Sequence, residues 1–199
     1  MNKDYIIRRI EEADKRIKEL LEHGDIKKIS EEERHRLVIF FRQRSLHRLQ
    51  TARIIYEASG KDNYEDYGEA VGAGYYSMYY IVHGYVAANY HIKLKEGTPG
   101  VHAITLHFIL YYLVKTNKLA RNLYEEYCKA LEMTAETHAF NLEEYREAAF
   151  EYAAQYDDQK SQREKFTYFT TTTAVKEEAK RAIEVAEQFI NKMLELIES

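Results

Sequence analysis

The stretch GYYSMYYIVHGYVAANY, residues 74–90, holds six tyrosines and one histidine in seventeen residues. At helical spacing, one stripe of this stretch is formed by Tyr75, Tyr79, Val82, Val86 and Tyr90. Further tyrosines and alanines lie beside that stripe, so the helix is apolar nearly all round. Such a helix is normally central and is covered by neighbours on several sides. The stretch therefore predicts the core helix of a helical protein.

The tyrosines of this helix allow two interpretations. Aromatic rings supply a large buried area, and their hydroxyl groups find partners at a wet edge, which favours a bundle core and a subunit interface. Gly72, Ala73 and Gly84 would let a neighbouring helix approach closely. The alternative is a base-stacking platform, which needs several exposed rings beside a basic surface. His83 is interpreted as a core histidine with a hydrogen-bond partner and not as a metal ligand.

The composition favours an all-α fold. The 199 residues include one proline and eight glycines, and this scarcity of helix breakers argues for long helices and against a β-rich protein. An apolar content of 45% is enough to form a proper core, and the length suits one domain with an added arm. We predict an up-and-down helical bundle over residues 30–199, preceded by an N-terminal helical arm over residues 1–29.

Capping residues predict where the helices begin and end. The first helix is expected to stop at Gly24, and Ser30 is expected to cap the second, with Glu33 as its capping-box partner. Thr98 is predicted to cap the helix after the tyrosine helix, with Pro99 at its first position. Periodicity then places later helices over about 119–140, about 141–157 and from about 170 towards the C-terminus.

Charge, cysteine content and hydropathy exclude several classes of protein. A net charge of −4 restricts any nucleic-acid contact to a local patch. The single cysteine, Cys128, cannot form an internal disulfide and is interpreted as a packed thiol. The N-terminus is charged from residue 3, and no run of 18 apolar residues occurs, so we expect a cytoplasmic protein without a membrane partner.

A local basic patch is present in the second helix. Residues 34–56, RHRLVIFFRQRSLHRLQTARIIY, contain six arginines and no acidic residue. Arg44 and Arg48 lie one turn apart at one edge of the apolar stripe, whereas Arg42 and Arg53 lie nearer the other edge. Guanidinium groups match phosphate oxygens well, so the cluster is a candidate RNA-binding surface. The alternative is that these arginines pair with glutamates elsewhere in the chain.

Catalytic motifs are absent from the sequence. Di-iron helix bundles use two Glu-x-x-His pairs, and here Glu32 and His35 form only one. No CxxC, HExxH, P-loop or GxSxG pattern occurs. We therefore assign no metal, no cofactor and no catalytic residue.

Four elements taken in order resemble the HEPN family (higher eukaryotes and prokaryotes nucleotide-binding). In that family, a helix with a YYxMxxxxxA pattern precedes a helix that opens with a small residue and histidine. An R-x4-[HY] element and a closing helix with spaced alanines follow. The matching residues here are Tyr75, Tyr76, Met78 and Tyr79, then Gly100 and His102, then Arg163 and Tyr168, and then Ala174, Ala179, Ala182 and Ala186.

The resemblance covers roughly residues 36–197 and implies a dimeric helical bundle in which the R-x4-H segments of two subunits face a shared cleft. Family members with activity are metal-independent RNases, many of them toxins or immunity factors, often encoded beside a small nucleotidyltransferase. This chain has Tyr168 where the histidine is expected. Because a phenol is a poor base near neutral pH, nuclease activity is not expected. One literal Arg-x4-His match, from Arg42 to His47, is interpreted as chance.

The sequence thus predicts an HEPN-like homodimer that binds RNA, a nucleotide or a partner protein, without nuclease activity. A minimal nucleotidyltransferase is the partner that the resemblance implies. An active HEPN ribonuclease and a purely structural helical protein are the alternatives. The candidate nucleotide- or RNA-binding residues are Gln162, Arg163, Lys165, Tyr168, Arg42, Arg44 and Arg48.

Overall fold

The computed structural model describes residues 3–61, 65–137 and 172–199. Within these ranges the protein is mostly helical, which confirms the predicted all-α helical bundle. The elements are α1 (Lys3–Glu22), β1 (Ile26–Lys28), α2 (Glu31–Ala58), α3 (Tyr67–Tyr90), β2 (Ile92–Leu94), α4 (Val101–Phe108) with a π-helical continuation (Ile109–Val114), α5 (Arg121–Thr137) and α6 (Thr172–Glu198). No helix in the described ranges has the length and apolar character needed to cross a membrane.

The tyrosine helix, α3, lies at the centre of the bundle. It packs against α2, α4, α5 and α6, and most of its residues are buried. The rings of Tyr75 and Tyr85 are completely inaccessible, as is the side chain of Met78. The prediction of a core helix covered on several sides is therefore confirmed. The covering helices belong to the same chain, so the apolar character of α3 is accounted for without a second subunit.

Two glycines of α3 mark close helix approaches. A Cβ atom at Gly84 would lie 3.3 Å from the Cβ atom of Phe41 on α2 and 3.8 Å from Cδ1 of Ile197 on α6. At Gly74 the nearest atom would be the backbone carbonyl oxygen of Ala182 on α6, at 3.8 Å. The α2–α3 crossing is thus tighter at Gly84 than the α3–α6 crossing is at Gly74.

Helix α2 begins as predicted. Ser30 is its N-cap, and the Ser30 hydroxyl oxygen accepts a hydrogen bond of 3.2 Å from the backbone N–H of Glu33. The Glu33 carboxylate does not return to the cap but pairs with Lys93 on β2. The prediction of Ser30 as the N-cap is therefore confirmed. Glu33 does not complete a capping box, because its carboxylate binds Lys93 and so connects α2 to β2.

A short two-stranded ribbon was not predicted. β1 and β2 are antiparallel, with Ile26 opposite Leu94 and Lys28 opposite Ile92. The strands are Ile-Lys-Lys and Ile-Lys-Leu, and in each of them the leading isoleucine is buried whereas the lysines are exposed or half-buried. The ribbon joins the α1–α2 connection to the α3–α4 connection.

The start of α4 differs from the prediction. The helix begins at Val101, and its N-cap is Gly100, whose φ of +67° lies in the left-handed region. Thr98 instead closes the turn after β2, because its hydroxyl group donates a hydrogen bond of 2.8 Å to the carbonyl oxygen of Lys95. Pro99 therefore lies in the turn and not in the first position of the helix. A left-handed residue between the two favours glycine, and this is what separates the turn from the helix.

The N-terminal helix shares the core of the bundle. Ala13, Ile17 and Leu20 on α1 are at most 1% exposed, and they belong to the same apolar cluster as the α3 tyrosines. α1 packs against α4, its π-helical continuation and β1. The division into an arm of residues 1–29 and a bundle stays a prediction, but packing is continuous across residue 29.

Candidate functional site

Four of the six arginines of α2, Arg42, Arg44, Arg48 and Arg53, divide into two sets according to their partners, while Arg34 and Arg36 pair with glutamates of the same helix. Arg42 forms an ion pair of 3.2 Å with Glu198, and Arg53 one of 2.8 Å with Glu187, both on α6. In the described part of the chain, neither Arg44 nor Arg48 has a carboxylate within ion-pairing distance. The two sets lie at opposite edges of the helix, as the sequence periodicity predicted.

Aromatic rings accompany the two arginines that lack carboxylate partners. The Arg44 guanidinium carbon lies 5.4 Å from the centroid of the Phe40 ring, and that of Arg48 lies 5.8 Å from the centroid of the Tyr76 ring. A guanidinium over an aromatic face gains electrostatic attraction and keeps its N–H donors at the periphery of the contact. These donors are therefore placed for an external anion.

Three half-buried tyrosines of α3 extend this surface. Tyr76, Tyr79 and Tyr80 have ring centroids 5.4 to 6.5 Å apart, and Tyr80 stacks on Phe41 at 6.4 Å. The imidazole of His102 lies 5.2 Å from the Tyr79 ring and 6.0 Å from the Tyr76 ring. We call this set the aromatic surface; its members are Phe40, Phe41, Tyr76, Tyr79, Tyr80 and His102.

The orientation of His102 is set by a buried tyrosine. The Nδ1 atom of His102 and the hydroxyl oxygen of Tyr75 are 2.7 Å apart, and the Tyr75 ring is completely buried. Burial lowers the pKa of His102 below its ordinary value, so the imidazole is neutral near pH 7. A neutral imidazole held in this way presents a flat ring to the surface.

Tyr76 and Tyr79 of the aromatic surface are neutral as well. Burial, followed by the neighbouring Tyr80 and Tyr76, raises the pKa of Tyr79 to about 12. Burial also raises the pKa of Tyr76, helped by Tyr80 and Glu69 and opposed by the charge of Arg48. These phenols donate hydrogen bonds and stack, but they are not proton acceptors at physiological pH.

His83 lies behind the aromatic surface and does not take part in it. Its Nε2 atom is 3.0 Å from the hydroxyl oxygen of Thr105, and the side chain is packed between the rings of Phe41, Tyr79 and Phe108. Burial lowers its pKa to about 3, and the nearby His102 contributes to the same shift. The interpretation of His83 as a core histidine with a hydrogen-bond partner is confirmed.

Other candidate groups do not add to the site. Burial raises the pKa of the Cys128 thiol to about 12, which makes it a packed thiol and a poor nucleophile. Arg42 points towards α6 whereas His47 is exposed, because residues five apart on a helix lie about 140° apart around its axis. In the described ranges no three His, Cys, Asp or Glu side chains are grouped closely enough to hold a metal ion.

Comparison with known protein families, with curated proteins and with solved structures gives no match for this chain. The geometry of the described residues is therefore the ground for a functional assignment. Gln162, Arg163, Lys165 and Tyr168 lie outside the described residues, so their part in a site stays a prediction.

The sequence pointed to one half of the site. Helical spacing separated Arg44 and Arg48 from Arg42 and Arg53. The contribution of Phe40 and Phe41 was missed, although both precede the arginines directly in the sequence. An aromatic pair followed by alternate arginines is a signal that could have indicated a mixed stacking and basic surface.

Proposed function

We propose that this chain is an HEPN-like helical protein that binds RNA or a nucleotide at the aromatic surface and the adjoining Arg44 and Arg48, without cleaving it. The observation that carries the proposal is the contrast among the arginines of α2. Arg42 and Arg53 are paired with carboxylates of α6, whereas Arg44 and Arg48 lie against the rings of Phe40 and Tyr76. Single-stranded nucleic acid is bound by this combination of positive charge for the phosphates and ring faces for the bases.

The surface suits binding better than catalysis. Stabilisation of a phosphate is available from Arg44 and Arg48, but RNA cleavage also needs a group that accepts the proton of the 2′-hydroxyl. The described phenols are too weakly acidic for this role. His102 is the one neutral imidazole in the surface, and it is the residue on which the alternative of an HEPN ribonuclease depends.

A paired charge-removal experiment tests the proposal. The double variant Arg44→Gln/Arg48→Gln removes two positive charges that lack carboxylate partners, and Arg42→Gln/Arg53→Gln removes two that are paired with α6. Binding of a short fluorescein-labelled single-stranded RNA is measured by anisotropy at several salt concentrations. The net charge changes equally in both variants, so general attraction to the RNA is matched.

We expect the Arg44/Arg48 variant to lose at least about tenfold in affinity, since charge-assisted hydrogen bonds each contribute roughly 1.5–3 kcal/mol. The slope of log affinity against log salt should become shallower by about 1.4, which is two phosphate contacts on a single strand. The Arg42/Arg53 variant should bind almost as well as the natural protein. Equal losses in both variants would mean that binding depends only on overall charge.

A protein-interaction role is the second candidate, and the absence of any RNA or nucleotide binding would favour it. The HEPN resemblance implies a minimal nucleotidyltransferase as the partner in that case. Co-purification of the two chains when they are expressed together, lost in the Arg44/Arg48 variant, would assign the same surface to a protein instead of a nucleic acid.

A further inference from the structure

Helix α2 carries four of the six large hydrophobic side chains that are exposed in the described part of the chain. Ile39, Phe40, Leu46 and Ile54 are between 43% and 56% exposed. Only Ser45, Leu49 and Ala52 of this 28-residue helix are buried, and at 100° per residue they lie on a different side of it. An apolar stripe on an otherwise charged helix is a mark of an interaction surface.

The spacing of the stripe is that of a helix–helix seam. Ile39, Gln43, Leu46, Gln50 and Ile54 follow one another at intervals of three or four residues, so they lie along one side of α2. The two exposed glutamines in this row, Gln43 and Gln50, can form hydrogen bonds with the side chains of a partner helix. Such a seam fits a second helix of similar length.

The stripe is complementary to itself when a second copy is placed antiparallel to it. We propose that α2 pairs with α2 of a second copy about a two-fold axis that passes between Leu46 and His47. Ile39 then faces Ile54 of the second copy, and Gln43 faces Gln50 of the second copy. The same register places Arg36 opposite Glu57 of the second copy, twice in the dimer, because a two-fold interface repeats every contact.

The distribution of charges supports this register. Glu57 is exposed and has no basic partner in the described part of the chain. Arg36 is exposed as well and lies 3.8 Å from Glu32 of the same helix, which is also exposed. Arg42 and Arg53, which flank the stripe on one side, are already neutralised by α6. The seam therefore gains two opposite-charge contacts and avoids placing uncompensated arginines against each other.

The pairing would also fix how the proposed binding sites of the two subunits are arranged. A two-fold axis perpendicular to both helices keeps the same edge of each copy on the same side of the pair. The Arg44 and Arg48 edges of both subunits would therefore face the same side of the dimer, each on the far side of its own α2 from the seam. This consequence rests on the proposed function, whereas the pairing itself does not.

The mass of the protein in solution gives the first test. At tens of micromolar, light scattering should show a dimer, and Leu46→Glu should convert it to a monomer, lowering the apparent association constant by at least a hundredfold. Leu21→Glu is the matched control, since Leu21 on α1 is similarly exposed but lies outside the stripe. It should leave the dimer intact. Circular dichroism on both variants checks that each remains folded.

Charge exchange tests the register. Arg36→Glu and Glu57→Arg should each weaken the dimer because each places like charges opposite each other, and the double variant should restore it. Disulfide cross-linking, carried out in a Cys128→Ala background, gives an independent test of the register. The variant Gln43→Cys/Gln50→Cys should form a covalent dimer on oxidation, whereas Gln43→Cys alone should not, because the two copies of residue 43 would be about 10 Å apart along the axis.

A monomeric natural protein would overturn the proposal. A dimer that Leu46→Glu leaves intact would overturn it as well, because the contact would then lie on another face. A dimer in which only the wrong cysteine pair cross-links would refute the register. If the natural protein forms the dimer but does not bind RNA, the result would count against the proposed function and not against the pairing.

Discussion

At the scale of single residues, burial determines the charge of several histidines. The pKa of His83 is lowered to about 3 and that of His107 to about 4, both chiefly by burial, and the pKa of His102 is lowered by the same cause. In the unfolded chain these imidazoles titrate near 6.5. The unfolded state therefore binds more protons below that pH, and folding loses stability there.

This linkage predicts an acid sensitivity above the range in which carboxylates titrate. A depressed histidine pKa contributes stability that is complete above about pH 6.5 and is lost as the pH falls towards the folded value. For His83 alone the free energy of unfolding should drop by about 2 kcal/mol between pH 7.5 and 5. Urea denaturation at a series of pH values measures it. His83→Gln should make the free energy of unfolding depend less steeply on pH over this interval. An unchanged dependence would show that His83 can be protonated in the folded protein.

Catalysis is a second question at the residue scale. Tyr168 stands where the resemblance to HEPN ribonucleases implies a histidine, and tyrosine, with a reference pKa of about 10, is badly matched to accept a proton. General acid–base help is typically worth roughly 10²–10⁴-fold, so its loss should leave a trace of activity at most. We expect no EDTA-resistant cleavage of a labelled RNA above background from the purified protein.

The same assay distinguishes the places where a base could act. Tyr168→His restores Arg-x4-His and is the single change most expected to create cleavage. Robust cleavage by the natural protein that His102→Ala abolishes would move the active site to the aromatic surface. Loss of cleavage in His47→Ala would instead place it on the outer side of α2.

The candidate site could be predicted only where it depends on one helix. Spacing along α2 separates Arg44 and Arg48 from Arg42 and Arg53, because residues on one helix have fixed relative directions. The contact between His102 and Tyr75 depends on how α4 crosses α3. That crossing is set by the packing of side chains from several segments, and no local pattern encodes it.

At the scale of elements, the two helix crossings at α3 glycines predict opposite responses to substitution. Alanine at Gly74 meets only ordinary contacts near 3.8 Å, so it should raise stability by about 0.5–1 kcal/mol through helix propensity. Leucine at Gly84 must displace Phe41 on α2 and should cost about 1–3 kcal/mol through overpacking. Thermal melting measures both. A neutral effect of Gly84→Leu would show that α2 can move away from α3 at little cost.

The limits of the helix prediction have local physical reasons. The ribbon was missed because three residues per strand are too few for a periodic signal, although both strands begin with isoleucine and lysine. The start of α4 was misplaced because Thr98 is equally suited to cap a helix and to close a turn. The left-handed Gly100 decides between these, and threonine followed by proline and glycine gives no warning of it.

At the scale of the whole molecule, the position of α1 predicts the result of a truncation. Its buried stripe of Ala13, Ile17 and Leu20 is part of the central core. A chain beginning at residue 25 would expose the apolar surface of α4 and its π-helical continuation. We expect that chain to aggregate or to lose its cooperative thermal transition, as measured by circular dichroism and light scattering. A truncated protein that melts like the full chain would show that residues 1–24 are a dispensable arm.

Because α1 is buried against α4, its apolar stripe stays uncovered during synthesis until α4 has been made. Helix α1 is synthesised before α4 and its π-helical continuation, which cover it and follow about 80–100 positions later, and at 5–20 residues per second this is a delay of roughly 5–20 s. Throughout that interval its apolar stripe is open to chaperones and to other nascent chains. Slow translation between residues 30 and 100 would lengthen the exposure, so synonymous codon choice in that stretch should affect the yield of folded protein.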